Sequence, residues 1–332
     1  MIDRPEHDPD PLLTTARARA DAGAWGEVRA LLGDVVPGTA PQREALLGEA
    51  CLRTGDAVAA RRVLDAARPG LRRAGDATRL RTVTNMLGAA AFALGALDDA
   101  REAWEQARTL AARDGDALTE ARATANLGAV AHFHGDVQGA LSCYRRALAA
   151  YARLGVVRGL AECWHNAAIS LRTAGDLDAA DDAERRAIVH AREVHDQRLV
   201  AMATVGRAEV ALRRDDAHWA RAAASRALVV LGPLGDLKLV ADAERVLGDA
   251  LARLGDPTAD GTLLRALATA LAGGHAMQEA EVHRTRAEIA WRRGRAAEAR
   301  TCYDTARATF TRLGATRDVE ALDAWWESRL AP

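Results

Sequence analysis

Histidine and cysteine side chains cluster near the middle of the chain, where such residues would be candidates for binding a metal ion. His132 and His134 are two residues apart, and Cys163 and His165 have the same spacing. On a helix, residues two apart point to nearly opposite sides, so neither pair places both side chains on one ion. The chain has no HExxH or CxxC motif. The sequence therefore predicts no metal site, and nothing in it indicates another cofactor.

The other reactive side chains are no better placed for catalysis. Cys51 and Cys143 lie on apolar helical stripes, which is typical of buried thiols, and Cys302 has no evident base. The acidic pair at 181–182 follows a turn in a polar stretch and is typical of solvated surface. No GxGxxG or GxxxxGK[ST] phosphate-binding loop occurs. We expect a protein that is not an enzyme, and we regard an accessory factor or enzyme that uses His132 and His165 as a third alternative.

Three asparagines, the only ones in the chain, stand in stretches that otherwise read as helices: Asn85, Asn126 and Asn166. Inside a helix, Asn costs about 0.5 kcal/mol relative to Ala because its side chain competes for backbone hydrogen bonds. The same amide offers a donor and an acceptor, which suits it to pairing with the backbone of an extended peptide. These residues are therefore candidates for binding rather than for folding.

The composition favours a helical protein with no electrostatic attraction to nucleic acid or membrane. Hydrophobic residues make up 49% of the 332 residues, aromatic residues only 4%, and the formal net charge is −1. A single lysine, Lys238, stands among 45 basic residues, which indicates a GC-rich bacterial genome. The acidic, proline-rich start MIDRPEHDPDP lacks the apolar core of a secretory signal, and no apolar run is long enough to span a membrane. We expect a cytoplasmic protein whose residues 1–11 are disordered.

Turn residues recur with a period of 40. One series runs through glycines and one aspartate at 55, 95, 135, 175, 215 and 255, and a second series lies halfway between. Between these breaks the apolar residues recur at steps of three and four, as in residues 136–154, DVQGALSCYRRALAAYARL. A glycine supplies the end of one helix, and an aspartate after it often begins the next. The pattern predicts antiparallel helix pairs stacked in a row.

At this level of detail the chain resembles the tetratricopeptide repeat (TPR) family. The family's small residues and its large residue are seen in the fourth repeat as Leu127, Gly128, Ala140, Tyr144 and Ala147. The third repeat has Leu87, Gly88, Ala100, Trp104 and Ala107 in the same slots, and the last has Ala287, Ala299, Tyr303 and Ala306. The long period is similar to that of peptide-sensing regulators and polarity scaffolds within the family. The six residues beyond the common 34 most simply lengthen the second helix of each pair.

The resemblance implies an all-α fold, a right-handed α-solenoid of about eight helix pairs over residues 12–315. Residues 316–332 are predicted to add a capping helix and the C-terminus, because a solenoid needs a polar outer face at its end. Some positions depart from the family pattern. Arg207 and Arg286 stand where leucine is usual, Asp260 occupies a small-residue slot, and Pro69 is expected to kink or end the second helix of repeat two.

In the TPR family the first helix of each pair lines a concave groove, and slot counting from Gly128 assigns residues of this chain to it. The predicted groove residues are Asn85, Arg122, Asn126, His132, Glu162, His165, Asn166, Arg172 and Arg213. Groove asparagines in many TPR proteins pair with peptide backbone, and groove arginines hold carboxylates. The same polar residues are also what a solvated groove without a ligand would show.

Two functional hypotheses follow from the resemblance. The first is an interaction scaffold, not an enzyme, that binds a peptide or a partner protein in the groove. The alternative is a regulator that senses a peptide or small ligand and controls a partner by changing the shape of the solenoid. Trp325 and Trp326 on the last helix are the first candidates for a homodimer or partner contact, although a capping role for that helix is favoured.

Overall fold

The computed structural model describes residues 10–330, and within that range the chain is built of helices joined by short turns. No strand occurs among these residues. The helices, numbered in chain order, are α1 Pro11–Asp21, α2 Trp25–Leu32, α3 Pro41–Arg53, α4 Ala57–Arg73, α5 Ala77–Ala93, α6 Leu97–Arg113, α7 Ala117–Phe133, α8 Val137–Leu154, α9 Val157–Thr173, α10 Leu177–Glu193, α11 Gln197–Arg213, α12 Ala217–Leu234, α13 Leu237–Arg253, α14 Ala259–Ala272, α15 Ala276–Arg292, α16 Ala296–Arg312 and α17 Thr316–Leu330.

The turns between helices repeat one local design. Asp56, Asp136 and Asp176 each accept a hydrogen bond from the backbone N–H three residues later, at 2.8–3.0 Å, and so begin the following helix. The residue before each aspartate has a positive φ, which glycine adopts without strain. His195 and Asp215 take the same left-handed conformation at two of these turns, with φ of 54° and 62°. The predicted 40-residue period is thus confirmed as a helix, a turn, a helix and a turn.

Within a pair, the two helices approach closely where a glycine of the first faces a large residue of the second. A Cβ added to Gly88 would lie 2.4 Å from the Trp104 ring nitrogen, and one added to Gly128 would lie 2.7 Å from the Tyr144 ring. Gly48 meets Leu64 in the same way. The small-and-large pattern in the sequence therefore fixes how each pair packs.

The chain divides into two compact units, with the boundary inside α7. The first unit, Met1–Ala123, has a core that includes the buried residues Leu32, Leu64, Leu71 and Val83. In the second unit, Thr124–Pro332, the first helices of successive pairs also contact each other, α9 with α11, α11 with α13 and α13 with α15. These four helices form one layer, and each packs against the second helix of its own pair. None of the described helices is both long enough and apolar enough to cross a membrane.

The final helix, α17, covers the end of the second unit. Leu322 and Trp326 are buried, and they pack in one cluster with Tyr303 and Phe310 of α16. Trp326 stacks on Tyr303 with ring centroids 4.8 Å apart. This packing fits the predicted capping role. Residues 1–9 of the predicted disordered tail lie outside the described residues, whereas Asp10 caps α1 and forms an ion pair with Arg43 at 2.6 Å.

Four local predictions need correction. Asp181, predicted as solvated surface, is only 7% exposed and is paired with Arg207 at 2.7 Å. Pro69 does not end α4, which continues to Arg73 and buries Leu71 beyond the proline. Asp260 is not in the small-residue slot: Ala259 is, with no exposed surface, because the one-residue shortening of this repeat falls in the turn before α14. Asp260 instead forms an ion pair with Arg293 at 2.7 Å. Finally, α5 and α6 both have 17 residues, so the added length is shared between the helices of a pair.

The two arginines that replace leucine are accommodated by ion pairs. Arg207 donates from Nε to Asp181 at 2.7 Å, and its guanidinium lies over the Trp219 ring. Arg286 reaches Glu298 at 3.6 Å. In both cases the charge is neutralised by an acid of the neighbouring helix, so the departure from the family pattern does not disturb the packing.

Candidate functional site

Charged residues occupy one face of the layer of first helices in the second unit. On α13 and α15 an acid and an arginine alternate at steps of three and four residues, so that they lie on one side of each helix. We call this surface the charged face, and it comprises Arg172 of α9, Glu209 and Arg213 of α11, Asp242, Arg245, Asp249 and Arg253 of α13, and Glu281, Arg284, Glu288 and Arg292 of α15.

Glu209 is the centre of the first ion-pair group. One of its oxygens accepts from Arg172 at 2.5 Å, and the other accepts from Arg245. Burial alone would raise the pKa of Glu209, but the two guanidinium groups lower it to about 2. The carboxylate therefore stays ionised at any physiological pH and connects α9, α11 and α13.

A second group connects α13 with α15. Asp249 accepts from Arg253 at 3.1 Å and from Arg292 at 3.0 Å. Gln278 donates to Asp242 at 3.3 Å, and burial raises the pKa of Asp242 to about 6. Each helix of the layer is thus bonded to the next through charged side chains rather than through apolar contacts alone.

Two charged residues of this face have no ion-pair partner among the described residues. Arg213 is exposed, and desolvation by the surrounding protein, followed by the charges of Arg172 and Arg284, lowers its pKa. Glu288 is half-buried, and burial raises its pKa. An unpaired charge that is partly shielded from water attracts an opposite charge more strongly than the same group would in water. These two groups therefore mark a candidate place for a ligand of complementary charge.

Some guanidinium nitrogens of the same region are also buried without an acceptor. Nη1 of Arg172 and Nε of Arg245 make no hydrogen bond within the described part of the chain, although Nη2 of each side chain is paired with Glu209. A buried donor without an acceptor costs roughly 1–3 kcal/mol. An incoming acceptor would recover that free energy.

A buried glutamate replaces the large apolar residue in the pair of α9 and α10. Glu184 has no exposed surface and stands in the slot that Trp104 and Tyr144 fill in the preceding pairs. His165 Nδ1 lies 3.0–3.1 Å from both of its oxygens, and Gly206 leaves space for its carboxylate. Burial raises the pKa of Glu184 despite the histidine. No group of three or more His, Cys, Asp or Glu side chains suited to a metal ion occurs in residues 10–330.

The structure places four of the predicted groove residues in one region of the second unit. Arg172 and Arg213 belong to the charged face, and His165 is held by Glu184. His132 is buried, with Nδ1 bonded to the Ser170 hydroxyl at 3.0 Å, and burial lowers its pKa to about 4. Of these four, only Arg213 is free for a ligand without a rearrangement.

The remaining predicted groove residues have fewer contacts. Asn126 and Asn166 are half-buried, and neither side chain is hydrogen-bonded to another described residue. Glu162 is exposed and paired with Arg158 at 3.0 Å. In the first unit, Arg122 is exposed, and the backbone oxygen of Asn85 accepts from the Trp104 ring nitrogen at 3.0 Å, while its amide oxygen is buried without a donor.

Sequence reasoning missed most of the charged face and the buried glutamate. The signal was present, because slot counting beyond repeat six reaches Asp242, Arg245, Glu281 and Arg284, and counting 40 from Tyr144 reaches Glu184. An acid in an aromatic slot is the departure from pattern that would have revealed the buried pair.

A cavity of about 420 Å³ lies at the far end of the charged face, where α15 meets α17. It is lined by Glu288, Trp291, Arg292, Trp325, Ser328 and Arg329. Trp325 is half-buried there, with the Arg329 guanidinium 4.6 Å from its ring centroid, whereas Trp326 is only 6% exposed. The predicted partner contact on this helix therefore depends on Trp325, because Trp326 belongs to the core.

Comparison with known proteins places this arrangement in a known fold. Residues 79–153 match the tetratricopeptide repeat model. No curated protein matches the sequence. Among solved structures, the Rap conjugation gene regulator of plasmid pLS20 in complex with the Phr* peptide is 15% identical with a TM-score of 0.72, covering 85% of this chain and 76% of that one.

Two further structures are similar over most of both chains. A Rap protein complexed with Competence and Sporulation Factor is 12% identical with a TM-score of 0.66, covering 96% of this chain and 98% of that one. NprR in complex with its cognate peptide NprX is 12% identical with a TM-score of 0.63, covering 90% and 88%. At such low identity these similarities establish the fold. Residues 79–153 match the repeat model and helix pairs of the same form continue on both sides of them, so the fold is that of a tetratricopeptide repeat solenoid.

Proposed function

We propose that the chain binds a peptide, or an extended segment of a partner protein, along the charged face of the second unit and catalyses no reaction there. The observation that carries this proposal is the set of charged groups without partners: Arg213, Glu288, and the buried nitrogens of Arg172 and Arg245. Packing of the helix pairs does not require them, because the pairs are held by glycine, alanine and large apolar residues.

A peptide suits this face better than a small molecule does. Acids and arginines alternate along neighbouring helices of the layer, so an extended chain would meet a charged group at each helix. The amides of Asn126 and Asn166, which bond to no other described residue, occupy equivalent positions in neighbouring pairs and offer donors and acceptors to peptide backbone.

The similar structures support the same reading. The pLS20 regulator and NprR were both solved in complex with a peptide. We transfer to this chain only the class of ligand. A regulator that changes shape when it binds is the second candidate, and it is favoured by one observation: α17 is bonded to the ends of α7 and α9.

Binding to an immobilised library of random hexapeptides tests the proposal. We expect the purified chain to select a set of peptides, and we expect Arg213→Gln and Glu288→Gln each to weaken binding to that set by about tenfold, because each removes one unpaired charge. Neither change breaks an ion pair among the described residues, so both variants should fold normally. Circular dichroism and thermal unfolding check this point.

Matched controls separate a site from a general charge effect. Arg146→Gln and Glu320→Gln remove the same charges from exposed positions on α8 and α17, outside the charged face, and they should bind as the unchanged chain does. If the library yields no selected peptides, the proposed function is wrong. If peptides are selected but both charged-face variants bind them normally, the site lies elsewhere.

A homodimer through α17 is a separate proposal. Trp325 is half-buried at the mouth of the 420 Å³ cavity, where an apolar side chain of a second copy would cover it. Sedimentation equilibrium of the chain and of Trp325→Ala measures this directly. We expect the variant to dissociate at a higher concentration, and a chain that is monomeric at every concentration would contradict the proposal.

A further inference from the structure

The start of α17 returns to a part of the second unit that lies far away in the sequence. The Arg317 guanidinium donates from Nη1 to the Thr173 hydroxyl at 2.7 Å, and the same nitrogen lies 3.0 Å from His132 Nε2. These partners precede Arg317 by 144 and 185 residues. Phe133 of α7 also packs against the cluster of α15, α16 and α17. The contact therefore joins the end of the second unit to its beginning.

This return contact completes a circuit of polar contacts that includes the charged face. The layer runs from α9 through α11 and α13 to α15, each helix bonded to the next, and α17 then connects back to α9. Asp318, which is 2% exposed, accepts from Arg317 at 2.5 Å and lies 3.9 Å from Arg284 of the charged face. The circuit of polar contacts is thus continuous within the second unit, from α9 through the charged face to α17 and back to α9.

The return contact is also weaker than the packing that surrounds it. Apart from the packing of Phe133, it depends on a few hydrogen bonds of one arginine, whose Nε is buried without an acceptor. His132 accepts at Nε2 only while it is neutral, because a protonated imidazole carries a hydrogen on both nitrogens. In the neutral form with Nε2 as acceptor, Nδ1 donates to the Ser170 hydroxyl. Elsewhere in the layer, neighbouring helices bury alanine, valine and leucine against each other. If the unit opens anywhere, the polar contact at α17 is therefore where it should do so.

We propose that Arg317 is a latch: its bonds to Thr173 and His132 hold the charged face closed in the ligand-free chain, and their release opens the face to a peptide. The inference rests on the proposed function for what enters. The latch itself is a property of the ligand-free protein, and it is tested without any peptide.

Two opposite variants of the full chain make the test. Arg317→Ala removes the latch. In Gly135→Cys with Arg317→Cys the latch is replaced by a disulfide, because a Cβ at residue 135 would lie 3.9 Å from that of residue 317, a distance that disulfides span. Gly135→Cys alone controls for the strain of a side chain at φ 85°. Peptide mapping confirms the bond, since the chain has four cysteines of its own.

Amide hydrogen exchange and small-angle scattering report the result. We expect Arg317→Ala to exchange about tenfold faster than the unchanged chain in the segments 130–135 and 316–322, with a larger radius of gyration. The oxidised double-cysteine variant should exchange more slowly than the unchanged chain there, and reduction should make it resemble Arg317→Ala.

The outcomes separate the latch from the binding proposal. If Arg317→Ala leaves exchange and dimensions unchanged, or if oxidation and reduction of the double variant give equal exchange, the latch is wrong, whatever peptides bind. If both change as expected and the oxidised form still binds library peptides as well as the reduced form does, the latch does not control access. A failed peptide library leaves the exchange result standing and contradicts only the proposed function.

Discussion

At the scale of single residues, His132 is the group whose ionisation matters most for stability. Only 5% of its surface is exposed. Burial, together with the charge of Arg317, lowers its pKa from 6.5 to about 4. Asp318 opposes this shift, and Arg172 adds to it. The unfolded chain therefore binds this proton at a higher pH than the folded chain does.

The sign of the resulting pH effect is fixed. Between pH 6.5 and about 4 the unfolded state takes up the proton first, so His132 lowers stability progressively as the pH falls, by about 3 kcal/mol in total. Between pH 7 and pH 4.5, the free energy of unfolding of His132→Gln should therefore fall by about 2 kcal/mol less than that of the unchanged chain. Urea unfolding at a series of pH values measures this difference. The exposed His218 provides the control variant His218→Gln. If the stability of His132→Gln and of the unchanged chain depends on pH in the same way, the lowered pKa of His132 is contradicted.

The pair of His165 and Glu184 makes a second prediction at this scale. Removing the partner of a buried charge is costly, and His165→Leu should destabilise the chain by about 3 kcal/mol. The double change to leucine at both positions should recover most of that loss, because Leu64 fills the equivalent slot beside Gly48. A double-mutant cycle by chemical unfolding measures both effects. A double variant as unstable as the single one would show that the slot does not accept an apolar residue.

At the scale of helices, the close approach within a pair distinguishes two kinds of glycine. Ala is a better helix former than Gly by about 1 kcal/mol. Gly261 in α14 is exposed, and a Cβ there meets nothing, so Gly261→Ala should stabilise the chain by about 0.5–1 kcal/mol. Gly88→Ala should destabilise it by about 1–3 kcal/mol, because the new Cβ would overlap the Trp104 ring. Thermal unfolding of both variants measures the two effects. Equal changes in the unfolding temperature would contradict the packing argument.

The helices and their pairing could be predicted from the sequence because their causes are local. A turn about every 20 residues, often formed by Gly and Asp, is a short-range signal, and so is a glycine that faces a ring such as Trp104 or Tyr144. Errors arose where one residue changes the register, as at Ala259, or where tertiary packing outweighs a local preference, as when α4 continues past Pro69 to bury Leu71. Helix propensity alone does not show whether the local preference or the tertiary packing determines the structure at such a residue.

The candidate site was predictable only in part, for a physical reason. Slot counting found Arg172 and Arg213, but the contact of Arg317 with His132 depends on small rotations summed over many helix pairs. No short-range pattern encodes that sum. The same lack of a local signal hid the role of His132, which is a buried acceptor in the structure rather than a groove ligand.

At the scale of the whole molecule, the return of α17 changes how damage should spread. In an open array of repeats, each pair depends only on its neighbours, so a defect in the last helix should weaken α15 and α16 and fade toward the start of the chain. In the second unit α17 also contacts α7 and α9, so the same defect should weaken those helices as well.

Leu322→Ala is the change that tests this. Leu322 is 1% exposed in the cluster that joins α17 to α16, and its truncation should cost about 2–5 kcal/mol. Amide hydrogen exchange, followed helix by helix, should show faster exchange in α15 and α16 and also at the ends of α7 and α9, while α12 and α13, which lie between them along the chain, change less. Val319→Ala, at a half-buried position of the same helix, gives a graded control. The loss of protection could instead decay steadily from α16 to α9, with no second region of loss at the ends of α7 and α9. That result would mean that the second unit behaves as an open array, whose end and beginning do not support each other.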